Sequence, residues 1–113
     1  LVGDWNIAPT DDDVWDPALF EGKTHTSQPE RDAFASFEEI GFSEVTRQFT
    51  PEPRTFTYWD YTQLRFPKKQ GLRIDMALTS PALTPRVSGA SIDREERKGK
   101  GASDHAPVVV EIS

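Results

Sequence analysis

The 113-residue sequence contains no cysteine. That removes disulfides, zinc–thiolate sites and a cysteine nucleophile together. With only two histidines, imidazole chemistry has two places to sit. No apolar run approaches the roughly 18 residues that a membrane-spanning helix needs, and no basic-then-apolar leader pattern opens the chain. A membrane is therefore not an expected partner. Internal repeats and low-complexity tracts are also missing. What is plentiful is aromatic and charged. Seven Phe, three Trp and two Tyr argue against disorder, because such side chains need an interior. Apolar residues make up only 35%, a thin supply for a short chain, since small domains bury a smaller fraction of their surface. The length admits one domain or part of one.

A formal net charge of −6 speaks against a polyanionic partner, but its distribution reverses that impression. Residues 1–53 hold 3 basic and 12 acidic side chains, residues 54–100 hold 10 basic and 5 acidic, and residues 101–113 add two acidic ones. The segments thus carry −9, +5 and −2. A solvated surface accounts for such clustering, and so does a face suited to anions.

Leu1-Val2-Gly3 reads as the end of an apolar strand with little before it, so the chain is expected to begin inside an element. Asp4 to Thr26, rich in Asp, Pro and Thr, reads as a long functional loop. Ser27, Pro29 and Glu30 then form a capping signature. Ala33, Phe34, Phe37 and Ile40 recur at helical spacing, and Gly41 is placed to end the helix. The pattern predicts a helix over about residues 28–40. Thr55 to Trp59 is β-branched and aromatic and predicts a strand. Residues 60–70 read as a polar loop. Leu72 to Leu78, Val87 to Ile92 and Ala106 to Ile112 predict three more strands, with a charged loop over residues 93–101. Several strands with one main helix make an α+β protein whose sheet is mostly antiparallel.

Three polar clusters fall at strand ends. In Gly3-Asp4-Trp5-Asn6, the Asp and Asn stand two apart, which on an extended segment points both the same way. The pair can bind a hard cation, or the Asp can activate water while the Asn amide donates to a developing negative oxygen. A simple turn is the plainer explanation, since Gly, Asp and Asn are turn residues. Asp75 interrupts an apolar alternation inside a predicted strand, so it needs a cationic or imidazole partner. A structural salt bridge with Arg73 would meet that need. Ser103-Asp104-His105 precedes the last strand and offers an acid–base side chain with a carboxylate beside it. Together these groups are an inventory for metal-assisted hydrolysis of a phosphodiester. Serine nucleophilic catalysis competes poorly, because Ser103 and His105 are two apart on extended chain and no nucleophile elbow is present.

The order Gly3-Asp4-Trp5-Asn6, Tyr58-Trp59-Asp60-Tyr61, Gly71-Leu72-Arg73-Ile74-Asp75 and Ser103-Asp104-His105-Ala106-Pro107 resembles the exonuclease–endonuclease–phosphatase superfamily. Within it, the chain is similar to the exodeoxyribonuclease III branch, and residues 3–14 and 58–75 look like its actinobacterial members. The resemblance implies a metal-dependent nuclease of base-excision repair, a 3′-to-5′ exonuclease and abasic-site endonuclease. The implied cofactor is Mg²⁺, with Mn²⁺ as a substitute. The implied partner is double-stranded DNA bearing abasic sites or 3′ ends, and the implied place is the cytoplasm of a bacterium, at the nucleoid. Position by position, it implies Asp4, Asn6, Asp75 and His105 as the catalytic set. Asp4, Asn6, Asp104 and Asp93 are the implied metal-linked positions. Tyr58, Leu72 and Ile74 would form an apolar pocket for a flipped abasic sugar. Arg54, Arg65, Lys68, Lys69 and Arg73 would contact phosphates.

The family domain is about twice this length, two α/β layers in a four-layered sandwich. The resemblance therefore covers its carboxy-terminal half. It implies that an asparagine, the principal metal-binding glutamate and a tyrosine belong to the other half. Residues 1–113 alone are expected to lack nuclease activity and, with an apolar sheet face uncovered, to be unstable, oligomeric or partly disordered. Two alternatives stay open at this stage: a superfamily phosphodiesterase acting on inositol phosphates or lipids, and a non-catalytic module that binds DNA or a protein partner.

Overall fold

The computed structural model describes residues 1–52, 55–60, 70–98 and 102–113. Its organising element is β3 (Asp75–Thr79), where Met76, Ala77, Leu78 and Thr79 are all buried. Strand β1 (Val2–Asp4) pairs antiparallel with it on one side, Val2 opposite Ala77 and Asp4 opposite Asp75. Strand β2 (Ser43–Glu44) pairs on the other, giving the order β1-β3-β2. Strands β4 (Val87–Ile92) and β5 (Val108–Ile112) form a second antiparallel pair. Successive residues of β3 are buried, so both of its faces are covered, which is why it departs from simple alternation.

The short helix α1 (Pro17–Phe20) lies in the first long loop, capped by Asp16. Helix α2 (Gln28–Glu39) matches the predicted helix to within a residue. The Ser27 hydroxyl donates to Glu30 Oε1 at 2.7 Å, so the capping signature acts as read. Phe34 is the buried residue of this helix and packs on Met76 and Leu78, with Trp5, Ile7, Phe37 and Phe42 around it. Trp5 meets Phe34 and Phe37 edge-on, at 5.8 and 5.3 Å between centroids. Ala33 and Ile40 do not join this face. Ala33 is exposed, and Ile40 is the C-cap, 70% exposed, because the helix ends one residue earlier. Gly41 follows with φ +103°, the conformation that favours glycine after a helix. Helix α3 (Val45–Phe49) was not foreseen; Glu44 caps it by accepting from the N–H groups of Thr46 and Arg47.

The predicted strand over residues 55–59 is not a strand. Tyr58 makes isolated bridges to Leu72 and to His105, while Thr57 N–H donates to Leu72 O and Trp59 N–H to Asp104 O. The residues have strand propensity, yet their backbone bonds are shared between two segments, so no ladder grows. The segment is a tie joining residue 72 to residues 104–106. Gly71 permits its close approach, since a Cβ there would lie 2.6 Å from Trp59 Nε1 and 2.8 Å from Phe56. The predicted strand from Leu72 likewise begins later, at Asp75. No helix among the described residues is long and apolar enough to cross a membrane.

Candidate active site

The register Asp4↔Asp75 places two carboxylates side by side at the end of the β1–β3 pair. The tie at residues 57–59 brings His105 to the same place: Ala106 N–H donates to Thr57 O at 2.7 Å and Tyr58 bridges His105. His105 Nδ1 lies 2.8 Å from Asp75 Oδ2, and its Nε2 lies 3.7 Å from Asp4 Oδ2. Ligand atoms of these three residues all fall within 4.8 Å of one another. The carboxylate of Asp75 accepts from Nδ1–H, so the imidazole is held with Nε2 facing outward. At 3.7 Å, Asp4 is too far to saturate that nitrogen by a direct hydrogen bond. Asp104 Oδ1 stands at 3.9 Å from the same Nε2. Two carboxylates thus flank one free imidazole edge, all three side chains being 29–39% exposed.

Asp75 is the more enclosed acid, its side chain 16% exposed. Burial pushes its carboxyl above the usual aspartate range, and hydrogen bonds from Thr57 and then His105 oppose that push. Thr57 is fully buried, and its hydroxyl oxygen also accepts from the N–H groups of Ile74 and Asp75 at 3.1 and 3.2 Å. Tyr58 lies against the His105 ring at 5.0 Å between centroids. Its hydroxyl is pushed up, chiefly by burial and then by Asp60 and Asp104, so it stays protonated.

Asp4 and Asn6 do not share one extended strand. Asp4 ends β1, and Asn6 has φ +54°, with its N–H donating to Asp4 Oδ1 at 2.9 Å. The plainer turn reading of this motif holds: the turn locks one carboxylate oxygen, and Oδ2 lies 3.7 Å from His105 Nε2.

Several predicted positions stand elsewhere. Asp93 is exposed, precedes the turn Arg94–Arg97, and is not in the Asp4, Asp75, His105 group; its N–H is tied to Pro107 O, which fixes the backbone at the end of β4 instead. Arg73 is 1% exposed and does not pair with Asp75. It donates to Thr46 Oγ1, Thr50 Oγ1 and Thr50 O on α3 and just after it, a buried arrangement that leaves it no path to a phosphate. Leu72 and Ile74 are buried with Ala8 and Val14, packed against Phe20 and Tyr58, so they serve as core rather than as an open wall. Arg54, Arg65, Lys68 and Lys69 lie outside the described residues. Sequence reasoning missed Thr57, a hydroxyl among aromatics without any pattern of its own, and His25, whose Nδ1 lies 2.7 Å from the carbonyl oxygen of Asn6.

A groove of about 310 Å³ runs from Asp4 and Asp75 along Val2, Ala77, Ala106, Val108 and Val110. It is apolar except at the carboxylate end, and Val2 beside it is 79% exposed.

A model of the endonuclease/exonuclease/phosphatase family matches residues 1–105. Exodeoxyribonuclease from Bacillus subtilis is 31% identical over the whole chain, which covers 44% of that relative. Among solved structures, the 3′ phosphatase NExo from Neisseria, bound to a product DNA hairpin, superposes with a TM-score of 0.96 at 40% identity, over 100% of this chain and 44% of that one. An AP endonuclease from Archaeoglobus fulgidus superposes with a TM-score of 0.91 at 30% identity, over 98% and 44%. The chain spans under half the length of these proteins.

Proposed function

The chain belongs to the endonuclease/exonuclease/phosphatase family, and from that premise we propose that residues 1–113 are the carboxy-terminal half of a domain that hydrolyses phosphodiesters of DNA in repair. The observation that carries this is the imidazole between two carboxylates, with Nδ1 2.8 Å from Asp75 and Nε2 3.7 Å from Asp4. Asp75 fixes the His105 tautomer, and Nε2 exchanges a proton at the phosphate. Asp4 Oδ2 orients water, and the Asn6 amide donates to charge developing on a phosphate oxygen. Asp4 and Asp104, oxygen donors beside the open imidazole edge, are the residues on this chain that would hold a divalent cation such as Mg²⁺ or Mn²⁺. Such an ion, when bound, supplies charge neutralisation at the phosphate and a more acidic water.

The substrate is double-stranded DNA. An abasic site offers a phosphate next to a sugar with no base to unstack, and a 3′ end one whose terminal base stacks on one side only, so both are cheaper to displace than an internal nucleotide. Greater identity to the Neisseria 3′ phosphatase than to the archaeal AP endonuclease, 40% against 30%, favours work at 3′ ends. A DNA substrate also implies residence with the nucleoid in the cytoplasm. The apolar groove beside the carboxylates is the seat of the complementary half, which would bring the remaining ligands and cover Val2.

The test is hydrolysis by the complete protein of three substrates: duplex with an abasic site, duplex with a 3′ phosphate, and a lipid phosphodiester. Cleavage of DNA that needs a divalent cation and disappears in His105→Ala is expected. Turnover of the lipid alone, or robust incision by residues 1–113 alone, would sink the assignment.

A further inference from the structure

We propose that His25 is a positioning residue for this site, acting on Asn6 and Asp4 through the backbone; the inference rests on the phosphodiesterase reading above. His25 Nδ1 is 2.7 Å from the carbonyl oxygen of Asn6. A carbonyl only accepts, so the ring carries its proton on Nδ1 and donates. The other side of the same residue is also engaged, since Asn6 N–H donates to Asp4 Oδ1 at 2.9 Å. Asp4 Oδ2 is the atom that faces His105 Nε2. One continuous path therefore runs from the His25 ring to the Asn6 backbone, to the Asp4 carboxylate and to the imidazole edge.

His25 is itself held firmly. Its N–H donates to the Glu30 carboxylate at 3.0 Å, and its carbonyl accepts from Ala8 N–H at 2.8 Å. Glu30 belongs to the capped first turn of α2, so the path is anchored in the longest helix of the described residues. Both Asn6 and His25 occupy left-handed backbone, with φ +54° and +80°. Non-glycine residues persist there only where surrounding bonds over-determine them, and two of them joined by a ring-to-carbonyl bond set the angle at which the chain leaves β1. Asn6 is placed by that angle, and Asp4 Oδ1 is locked by it.

Three variants of the complete protein test this. His25→Gly keeps the left-handed backbone and removes the donor, whereas His25→Asn keeps both, because the asparagine amide can take the place of Nδ1 and tolerates positive φ. The expected result for His25→Gly is a roughly tenfold to hundredfold fall in kcat with KM for DNA and the unfolding midpoint little changed, and His25→Asn recovering most of it. His25→Ala is expected to lose both kcat and stability. A readout without turnover accompanies these: in NMR spectra, His25→Gly should shift the Asn6 amide and the His105 ring signals, and His25→Asn should return them. Wild-type kcat in His25→Gly, equal impairment of the Gly and Asn variants, or unmoved Asn6 and His105 signals would overturn the proposal. Should the wild type itself fail to cleave DNA, the phosphodiesterase reading falls, and the NMR pair still decides the link between His25 and His105.

Discussion

Arg73 and Asp75 stand two residues apart and serve two polar clusters of opposite character. Arg73 reaches Thr46 and Thr50, while the neighbouring Asp13, 2% exposed, pairs with Arg47 and accepts from the N–H and hydroxyl of Thr10. In that cluster the Arg73 donors end on nearby hydroxyl and carbonyl acceptors, and the residue is sealed. Asp75 instead holds an imidazole whose outer nitrogen faces two carboxylates at 3.7 and 3.9 Å without a saturating bond. The residue types are alike: acids, a cation or imidazole, hydroxyls. What separates structure from chemistry is unspent bonding capacity at a half-exposed edge, and charge count along the sequence carries no information about that.

The largest expected effect breaks the two clusters apart. Asp75→Asn replaces the acceptor-only carboxylate that sets the His105 tautomer with a neutral amide that can also donate, and should cut turnover of the complete protein by roughly 10²–10⁴-fold, while the fold survives. Stability should even move the other way with pH. The Asp75 carboxyl titrates above its usual 3.8, chiefly through burial, so the folded state binds that proton more tightly than the unfolded one. Wild-type stability therefore falls as pH climbs from about 3.8 through the folded value, and the cost is fully present above it. The Asn variant carries no such cost, so its unfolding free energy relative to wild type should increase across that window. Urea titrations at a series of pH values check the sign; a variant that loses stability and keeps activity would make this cluster the same kind as the other.

Arg73→Met is the converse change. It strips the donors from the hydroxyls of Thr46 and Thr50 and the carbonyl of Thr50 in a buried place, which should cost about 2–4 kcal/mol in stability. The guanidinium is pushed down to about 10 by burial and then by Arg47, and so is still charged near neutrality. Turnover and DNA affinity per folded molecule should hold, measured at a temperature where both proteins are folded. A loss of affinity with unchanged stability would restore Arg73 to the phosphate face.

Local chemistry was the legible part of this molecule. Ser27, Glu30 and Phe34 announced α2 because capping and helical spacing are properties of neighbours in sequence. Val87–Ile92 and Val108–Ile112 were visible for the same reason. Asp4, Asp75 and His105 could be listed as chemistry-bearing groups, and Asp75 could be said to need a partner. That the partner is His105 and not Arg73 was implied by the family resemblance but by nothing in the residues themselves, because it depends on the tie at residues 57–59, a tertiary feature whose propensity reads as an ordinary strand. Helix α3, five residues long, carries too few turns for a periodic signal and exists because Glu44 caps it and Arg73 packs on it. His25 sits 19 residues from Asn6 in a polar loop, and nothing local marks a ring that will bond a distant carbonyl.

The smallest effect sharpens the contrast by touching neither cluster directly. Ser27→Ala removes the hydroxyl that donates to Glu30 Oε1 at 2.7 Å and caps α2, and should cost about 1 kcal/mol. The Glu30 carboxyl lies below its usual 4.5, first because of that Ser27 bond and with help from the His25 backbone. A depressed carboxyl contributes stability above its unfolded value and loses it as pH falls through the lower folded one. The penalty of Ser27→Ala should therefore be largest above about 4.5 and shrink as Glu30 becomes protonated in acid. Because the His25 N–H still ends on the remaining carboxylate oxygens, the path to Asn6 is loosened but not cut, and turnover should fall by less than in His25→Gly. Thermal unfolding at paired pH values, set beside kcat for both variants, measures whether the cap supports the site only through its helix or also through the ring that leans on Asn6.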